Sequence, residues 1–396
     1  MTKKAQSKIQ NYKRLGFIVM KSYDTIVIGA GASGLVASAT LKGKTLLIEA
    51  NDRVGKKILA TGNGRCNLGN ENTSGVYYSS PDFFDSVYGK NDTIVSDYFK
   101  SIGLLTKSDN AGRIYPYTFQ ASTVLDVLRG EVKCDTVLSQ KVLAIKKIGT
   151  GYRVITNEDE YSSNYVIVAT GGGKNDFLDG LVEGTELSPM LCPIKTDTTH
   201  LKGLDGVRVH CGVSLYDGET PIYDEYGEVL FRTYGVSGVA VFNASAYVAR
   251  SKVRNRRARW MISLDFLRDA NVDEVYKIIN ERINAGVEKE KLLVGIVTNK
   301  LSECIMRRST EIEASALIKV MRDYRINVVG LMGDTAQVTS GGVSLDSVGY
   351  DFECKKHKGL FITGEALDMD GLCGGYNLHW AFMSGLVASK NISLRI

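Results

Sequence analysis

Three glycines with the spacing Gly29-x-Gly31-x-x-Gly34 stand between an apolar run, Asp24 to Ile28, and an Ala/Leu-rich stretch that ends near Leu41. In such a turn the first glycine permits the tight bend, the second lets backbone approach a pyrophosphate, and the third lets helix pack close on strand. The helix that opens there presents the positive end of its dipole to a phosphate. Glu49 lies 20 residues after Gly29, at the end of the next apolar run, Thr45 to Ile48. A carboxylate there accepts hydrogen bonds from a ribose diol and disfavours a 2′-phosphate. A glycine turn that binds nothing leaves that acid unexplained. Ala32, Ser33 and Ala50 adjoin these residues and are expected in the same dinucleotide site.

Two further segments share this character. Gly364-Glu365-Ala366-Leu367-Asp368-Met369-Asp370-Gly371-Leu372-Cys373-Gly374-Gly375-Tyr376-Asn377-Leu378-His379-Trp380 lies between an apolar strand and an apolar helix. Glu365, at a strand end, is placed to accept from ribitol hydroxyls. Gly374 and Gly375 allow backbone to lie against a ring, and the helix opening near Asn377 points its positive end there. The other segment runs from Gly55 to Asn67 and is polar and interrupted by glycine. Its Lys57, Thr61, Gly62, Asn63, Arg65 and Asn67 suit a loop around a cofactor, and Arg65 suits either a carboxylate substrate or an ion pair that pins the loop. The GxGxxG turn alone does not separate FAD from NAD. No second such turn occurs, whereas a separate glycine-rich segment does, and together these point to FAD.

The elements that must position these residues follow from periodicity. A strand, the glycine turn, a helix and the strand Thr45 to Ile48 make a compact βαβ unit. Strands are read at Val142 to Lys147, Tyr152 to Thr156 and Tyr165 to Ala169, the last ending in Thr170-Gly171-Gly172-Gly173. Val142, Thr170 and Gly171 are expected at the cofactor. Beyond Ser188 short strands (Val207 to Leu215, Glu228 to Tyr234) precede a long helical pattern from Val272 to Asp323. Near Asp334 glycine-rich sequence returns, with the strand Gly359 to Thr363. The expected division is a loose tail over 1–23, an FAD-binding domain over 24–187, an inserted domain over 188–333, and completion of the first domain by 334–396.

The chain has 396 residues, 41 glycines against 5 prolines, and a net charge of +5 from 49 basic and 44 acidic residues. That mild excess requires neither a nucleic acid nor a membrane. Seven cysteines without a CxxC pair point to a reduced, cytoplasmic setting and offer no metal site. The apolar patch Leu15 to Met20 is too short for a signal segment or a span, and translation starting at Met20 would place the first strand almost at the N-terminus.

The trio GAGASGLVA, GKKILATGNGRCN and GLFITGEALDMDGLCGGYNLHWAFMSG resembles the aminoacetone oxidase and BaiN-like family of FAD-dependent oxidoreductases. Ala169-Thr170-Gly171-Gly172-Gly173 and Val338-Thr339-Ser340-Gly341-Gly342-Val343 extend the likeness over nearly the whole chain from Asp24. The resemblance implies an α/β, Rossmann-like (glutathione-reductase-type) FAD-binding domain, interrupted by a β-barrel-like and helical insert that roofs the flavin. It implies that Gly29, Gly31, Gly34 and Glu49 hold the ADP half, and that Arg65, Cys66 and Asn67 lie around the flavin. Gly364, Glu365, Gly374, Gly375, Asn377 and Leu378 go to ribitol and isoalloxazine, with Tyr376 among them. His379 departs from the family, which more often has Gln there. The family includes amine oxidation and bile-acid-pathway reduction, so the expected reaction is hydride transfer between flavin and a small molecule, as amine oxidation or as enone-type reduction; if reduction is the direction, NAD(P)H is expected as a transient electron donor.

Other residues invite weaker assignments. His379, one turn into the last helix, is a candidate proton donor, with packing as the alternative. Cys373 and Cys66 form a conceivable redox pair, with burial as small hydrophobes as the alternative. Asp368 and Asp370 are read as turn aspartates bonding their own backbone. Arg250, Lys252, Arg254, Arg256, Arg257 and Arg259 put six positive charges into ten residues. They suit a solvated face or an acidic substrate, or a nucleic acid if the flavoprotein modifies transfer RNA. A flavin redox sensor without turnover is the non-enzymatic alternative. Sequence assigns no oligomeric state.

Overall fold

The structure is a computed structural model, and it describes residues 20–254 and 258–396. Its first strand spans Lys21–Ile28, so three residues of the expected tail already belong to the sheet. They pair in parallel with Tyr161, Ser162 and Ser163, and Tyr23 is buried. Thr45–Ile48 pairs with the other side of the first strand, and Asp135–Val137 with Thr45–Ile48. Glu160–Val168 adjoins the first strand in parallel and carries Leu360–Ile362 at its far end. Gly151–Thr156 and Val142–Ile148 complete the seven-stranded sheet as an antiparallel edge. The central strands are apolar at consecutive positions, Ile26, Val27 and Ile28 or Val166, Ile167 and Val168, because both faces of a parallel sheet are covered.

One face carries the helix Ala32–Thr40, packed on the C-terminal helix Tyr376–Ser393. Gly385 makes the approach possible, since a Cβ there would lie 2.4 Å from the Ser33 carbonyl oxygen. Ser33 Oγ donates to Thr363 Oγ1 at 2.8 Å, and the Thr40 and Ser389 hydroxyls pair at 2.7 Å. The helices near the two ends of the described chain thereby pack in one layer.

The intervening sequence forms a closed six-stranded barrel, in order Ile194–Thr196, Gly235–Ser237, Thr220–Arg232, Arg208–Asp217, Trp260–Asp265 and Tyr324–Leu331. The long helical pattern resolves into three helices, Val272–Asn284, Asn299–Arg308 and Ala314–Arg322. Asn271 starts the first of them, its side chain accepting from the amides of Asp273 and Glu274. A further helix, Val239–Val253, lies where the sequence showed only short strands and charge. Small and apolar residues run all round it, so it has no polar stripe to reveal its period. Apolar side chains gather in two cores, one made by the sheet and its helices, the other by residues between Met190 and Val338. Ser188–Met190 and Val338–Ser340 pair antiparallel where the chain passes between the two. The fold is thus α/β, a Rossmann-type sheet with a barrel and helices inserted. No helix among the described residues is long and apolar enough to cross a membrane.

Candidate functional site

The parallel strands end at Ile28, Ile48, Val168 and Ile362, and a cleft of about 620 Å³ opens just beyond those ends. That is where open α/β sheets bind ligands. Gly29, Gly31, Ala32 and Ser33 line it on one side. Gly29 takes φ +99°, and a Cβ there would strike the Ala169 carbonyl. Around Gly31 a Cβ would meet nothing within 4 Å, so this glycine leaves open space on the cleft side. The helix that follows has no side-chain cap and no acidic residue in its first turn. Its free amides and dipole therefore face the cleft uncompensated, as an anion requires.

Glu49, 8 % exposed, is held at the end of its strand by three donors. The Ala30 amide donates to Oε2 at 2.8 Å, and the Asn51 amide and side chain donate to Oε1 at 2.8 and 2.6 Å. A carboxylate so oriented presents its remaining lone pairs to hydroxyls in the cleft. Ala50, Lys57, Thr61, Val142, Thr170 and Gly171 also line it.

Gly364, Glu365, Asn377 and Leu378, from the C-terminal segment, line it as well. Lys57 Nζ donates to Glu365 Oε2 at 2.7 Å and the Thr339 amide to Oε1 at 2.8 Å, so protein donors already hold both oxygens. Asn377 closes the glycine loop on itself, accepting from the Gly371 amide at 2.9 Å and donating to its carbonyl at 2.7 Å. The 18-residue helix beginning at Tyr376 also lacks a side-chain cap and first-turn acids. The cleft is therefore bounded by two uncapped helix N-termini and two held carboxylates, Glu49 and Glu365. An open glycine cradle, free amides and a carboxylate acceptor fit the pyrophosphate and ribose of a dinucleotide.

Several expected contacts lie outside the cleft lining. Gly34 packs helix on turn. Gly62 and Asn63 adopt left-handed backbone in a short turn and are exposed, as is Arg65. Cys66 and Asn67 are buried beneath it. Gly375 lets the loop at Gly69 approach the last helix, since a Cβ would lie 2.4 Å from the Gly69 carbonyl oxygen, and Gly374 lies under the Tyr376 ring. Burial pushes the thiols of Cys66 and Cys373 up to about 12, so both are neutral and neither is an activated nucleophile.

His379 is 7 % exposed, packed near Gly69 and against the rings of Phe84 and Tyr88, with Nδ1 unpartnered among the described residues. Burial pushes its pKa down to about 4, from an ordinary 6.5. The folded state therefore resists a proton that the unfolded state accepts. Stability is full above about pH 6.5 and falls as pH drops toward 4, by up to about 3 kcal/mol. Urea titrations at pH 7 and pH 4.5 are expected to show that loss in the wild type and a smaller one in His379→Gln.

Asp368 and Asp370 do not bond their own backbone as expected. Thr185 Oγ1 donates to Asp368 at 3.1 Å, and burial raises the carboxyl's pKa. Asp370, 1 % exposed, receives Arg250 Nε at 2.8 Å and Nη2 at 2.7 Å on Oδ1, and Ser340 Oγ at 2.7 Å on Oδ2. Arg250 thus leaves the basic run to make an internal ion pair. Lys252, Arg254 and Arg259 are exposed, and Arg256 and Arg257 lie outside the described residues.

The cleft also contains residues that no local pattern marked, among them Gln140, Asn175, Phe177, Gln337, Met369 and Trp380. They arrive from segments far apart in sequence, and only Met369 and Trp380 fall within a segment already singled out.

Comparison with known proteins supports the same reading. The family described as "HI0933-like protein Rossmann domain" matches residues 23–391. A 3-dehydro-bile acid delta(4,6)-reductase of Clostridium scindens is 30% identical, covering 92% of this chain and 97% of its own. Ribosomal RNA dihydrouridine synthases of Escherichia coli and Haemophilus influenzae are 28% and 25% identical, covering 94% and 93% of this chain and 98% of each relative. With its cleft, its turn and a match over nearly the full described length, the chain belongs to the HI0933-like Rossmann family of FAD-dependent oxidoreductases.

Proposed function

We propose that this protein reduces carbon–carbon double bonds conjugated to a carbonyl, with electrons drawn from NAD(P)H, and that residues 188–333 roof the place where the substrate binds. The observation that carries the reading is the cleft itself, with two uncapped helix N-termini along it and Glu49 fixed at one end. FAD, when bound there, supplies the hydride-transfer chemistry. Glu49 takes the ribose hydroxyls, and the amides of the Ala32–Thr40 helix take the pyrophosphate. The start of the Tyr376–Ser393 helix favours negative charge at the far end.

The relatives' names support reduction over oxidation. One describes a delta(4,6)-reductase and two describe formation of dihydrouridine, and in each a ring double bond is saturated. A small carbonyl compound is the leading substrate class. A uracil base in ribosomal RNA is the second reading, favoured by two relatives matched over nearly their whole length.

The test is anaerobic. Protein carrying FAD is titrated with NADPH and NADH, then mixed with a 3-oxo-4,6-diene steroid, with deproteinised ribosomal RNA, or with air. Bleaching by a nicotinamide followed by reoxidation on the steroid supports the leading reading, and reoxidation on RNA alone supports the second. Reoxidation by air alone overturns both in favour of an oxidase.

A further inference from the structure

Lys57 and Glu365 both line the cleft and meet although 308 residues separate them, Nζ donating to Oε2 at 2.7 Å. Lys57 is rooted at the glycine turn. It is the second residue of the short helix Lys56–Ala60, and Gly55, just before that helix, donates its amide to the Ala30 carbonyl at 2.8 Å. A Cβ on Gly55 would lie 2.1 Å from Leu125 Cδ1, so the start of the helix is packed tightly in place. Glu365 reaches the same turn from the C-terminal segment. A Cβ on the preceding Gly364 would lie 3.3 Å from the Ser33 Cβ, and one on Gly172 would lie 2.4 Å from Glu365 Oε1. The Thr339 amide holds that oxygen at 2.8 Å. The carboxylate therefore stands near the first turn of the Ala32–Thr40 helix, whose uncapped amides suit an anion.

The two carboxylates of the cleft are held differently. Neutral donors hold Glu49, which keeps its charge for hydroxyls, whereas a cation holds Glu365. Left unpaired, Glu365 would repel a pyrophosphate seated on the neighbouring helix amides. The ammonium of Lys57 removes that repulsion and has two more protons to give, since it carries three donors and Glu365 takes one. The Lys57 side chain is 59 % exposed against 18 % for Glu365, so its head remains accessible from the cleft. An ion pair so exposed adds little to folding stability. Of the other lysines along the cleft, Lys174 is paired with Asp176 at 2.9 Å, and Lys56 and Lys141 have no ion pair among the described residues.

We propose that Lys57 is the counter-ion of the cofactor's pyrophosphate, shared between that group and Glu365, and that through it the cleft favours a dinucleotide flavin over riboflavin. This assignment rests on the reading that FAD occupies the cleft. It does not depend on whether the bound flavin oxidises or reduces its substrate.

The experiment uses full-length protein stripped of flavin and titrated with FAD, riboflavin, ADP and adenosine, the first two followed by flavin fluorescence and the last two by displacement of FAD. Lys57→Met keeps most of the stem, removes the charge and is expected to melt like the wild type, since the head it loses is exposed. It is expected to bind FAD and ADP about thirtyfold more weakly, as the loss of a charged hydrogen bond requires. Its affinities for riboflavin and adenosine, which carry no phosphate, are expected to stay within about threefold. Lys57→Arg is expected to keep FAD affinity within about fivefold, because the charge and donors remain. Lys56→Met makes the same change in net charge one residue away, and a loss of no more than about threefold there separates a contact from the general field of the cleft. FAD and ADP affinities in Lys57→Met within about threefold of wild type overturn the assignment, as does an equal loss in Lys56→Met, or an equal loss for riboflavin and adenosine. Each of these outcomes leaves the cofactor reading standing. Wild-type protein that binds none of the four ligands overturns both.

Discussion

Replacing Gly34 by alanine is expected to cost the protein both its cofactor and part of its fold, whereas the same change at Gly31 is expected to cost only the cofactor. A Cβ on Gly34 would stand 1.8 Å from the Gly29 carbonyl oxygen and 3.3 Å from the Ala169 Cβ. The obstacle is backbone and has no rotamer to escape into, so the Ala32–Thr40 helix must shift away from the turn. Overpacking of that kind costs about 3 kcal/mol, equivalent to a melting temperature several degrees lower. Gly31 has φ −84° and no neighbour within 4 Å of a Cβ, so alanine there fits the folded chain. On the function proposed above, its methyl group would occupy the space that the pyrophosphate needs. For Gly31→Ala we expect an unchanged melting curve with FAD affinity lower by on the order of a hundredfold, about 3 kcal/mol. Fluorescence titration of apoprotein with FAD, beside calorimetry, separates the two effects. Equal FAD affinity in Gly31→Ala and wild type would show that the cleft does not hold a pyrophosphate at this turn.

Removing the guanidinium at Arg250 is the second large effect. Arg250→Met leaves the Asp370 carboxylate, at 1 % exposure, with the Ser340 hydroxyl as its remaining donor among the described residues. An uncompensated buried carboxylate costs about 3–5 kcal/mol. The double variant Arg250→Met with Asp370→Asn is expected to recover most of that loss, because no lone charge remains. Urea unfolding at pH 7 measures both. If the single variant unfolds within about 1 kcal/mol of wild type, water reaches Asp370 and the pair contributes little.

The parts of the site that sequence revealed are those whose reasons are local. The turn at Gly29 to Gly34 and the acid at Glu49 are readable because strand, bend, helix and strand follow one another within 30 residues, each constraining the next. The last glycine-rich segment reads as a ligand-facing turn by the same local logic, yet in the fold Gly364, Glu365, Asn377 and Leu378 line the cleft while Gly374 and Gly375 pack against Tyr376 and the Gly69 loop. Arg250 is the contrary case. Among five other basic residues it reads as surface charge, and its partner lies 120 residues further on, beyond any local rule. The helix Val239–Val253 escaped notice because it is buried on nearly every side. Arg65 is prominent in sequence yet exposed in the fold, whereas Gln140 and Gln337, unremarkable in sequence, reach the cleft because the topology brings them there.

The crossing between the two cores has a mechanical consequence. Ser188–Met190 and Val338–Ser340 run side by side, so the chain enters and leaves the barrel half on one narrow ribbon whose two strands are hydrogen-bonded to each other. Such a ribbon resists stretching and shear but yields to twist and bend. On that same ribbon Val338 lines the cleft and Ser340 bonds Asp370, the anchor of Arg250 from the barrel's own long helix. A tilt of the barrel would turn this ribbon and load the ion pair at once, with the pivot itself forming part of the cleft wall.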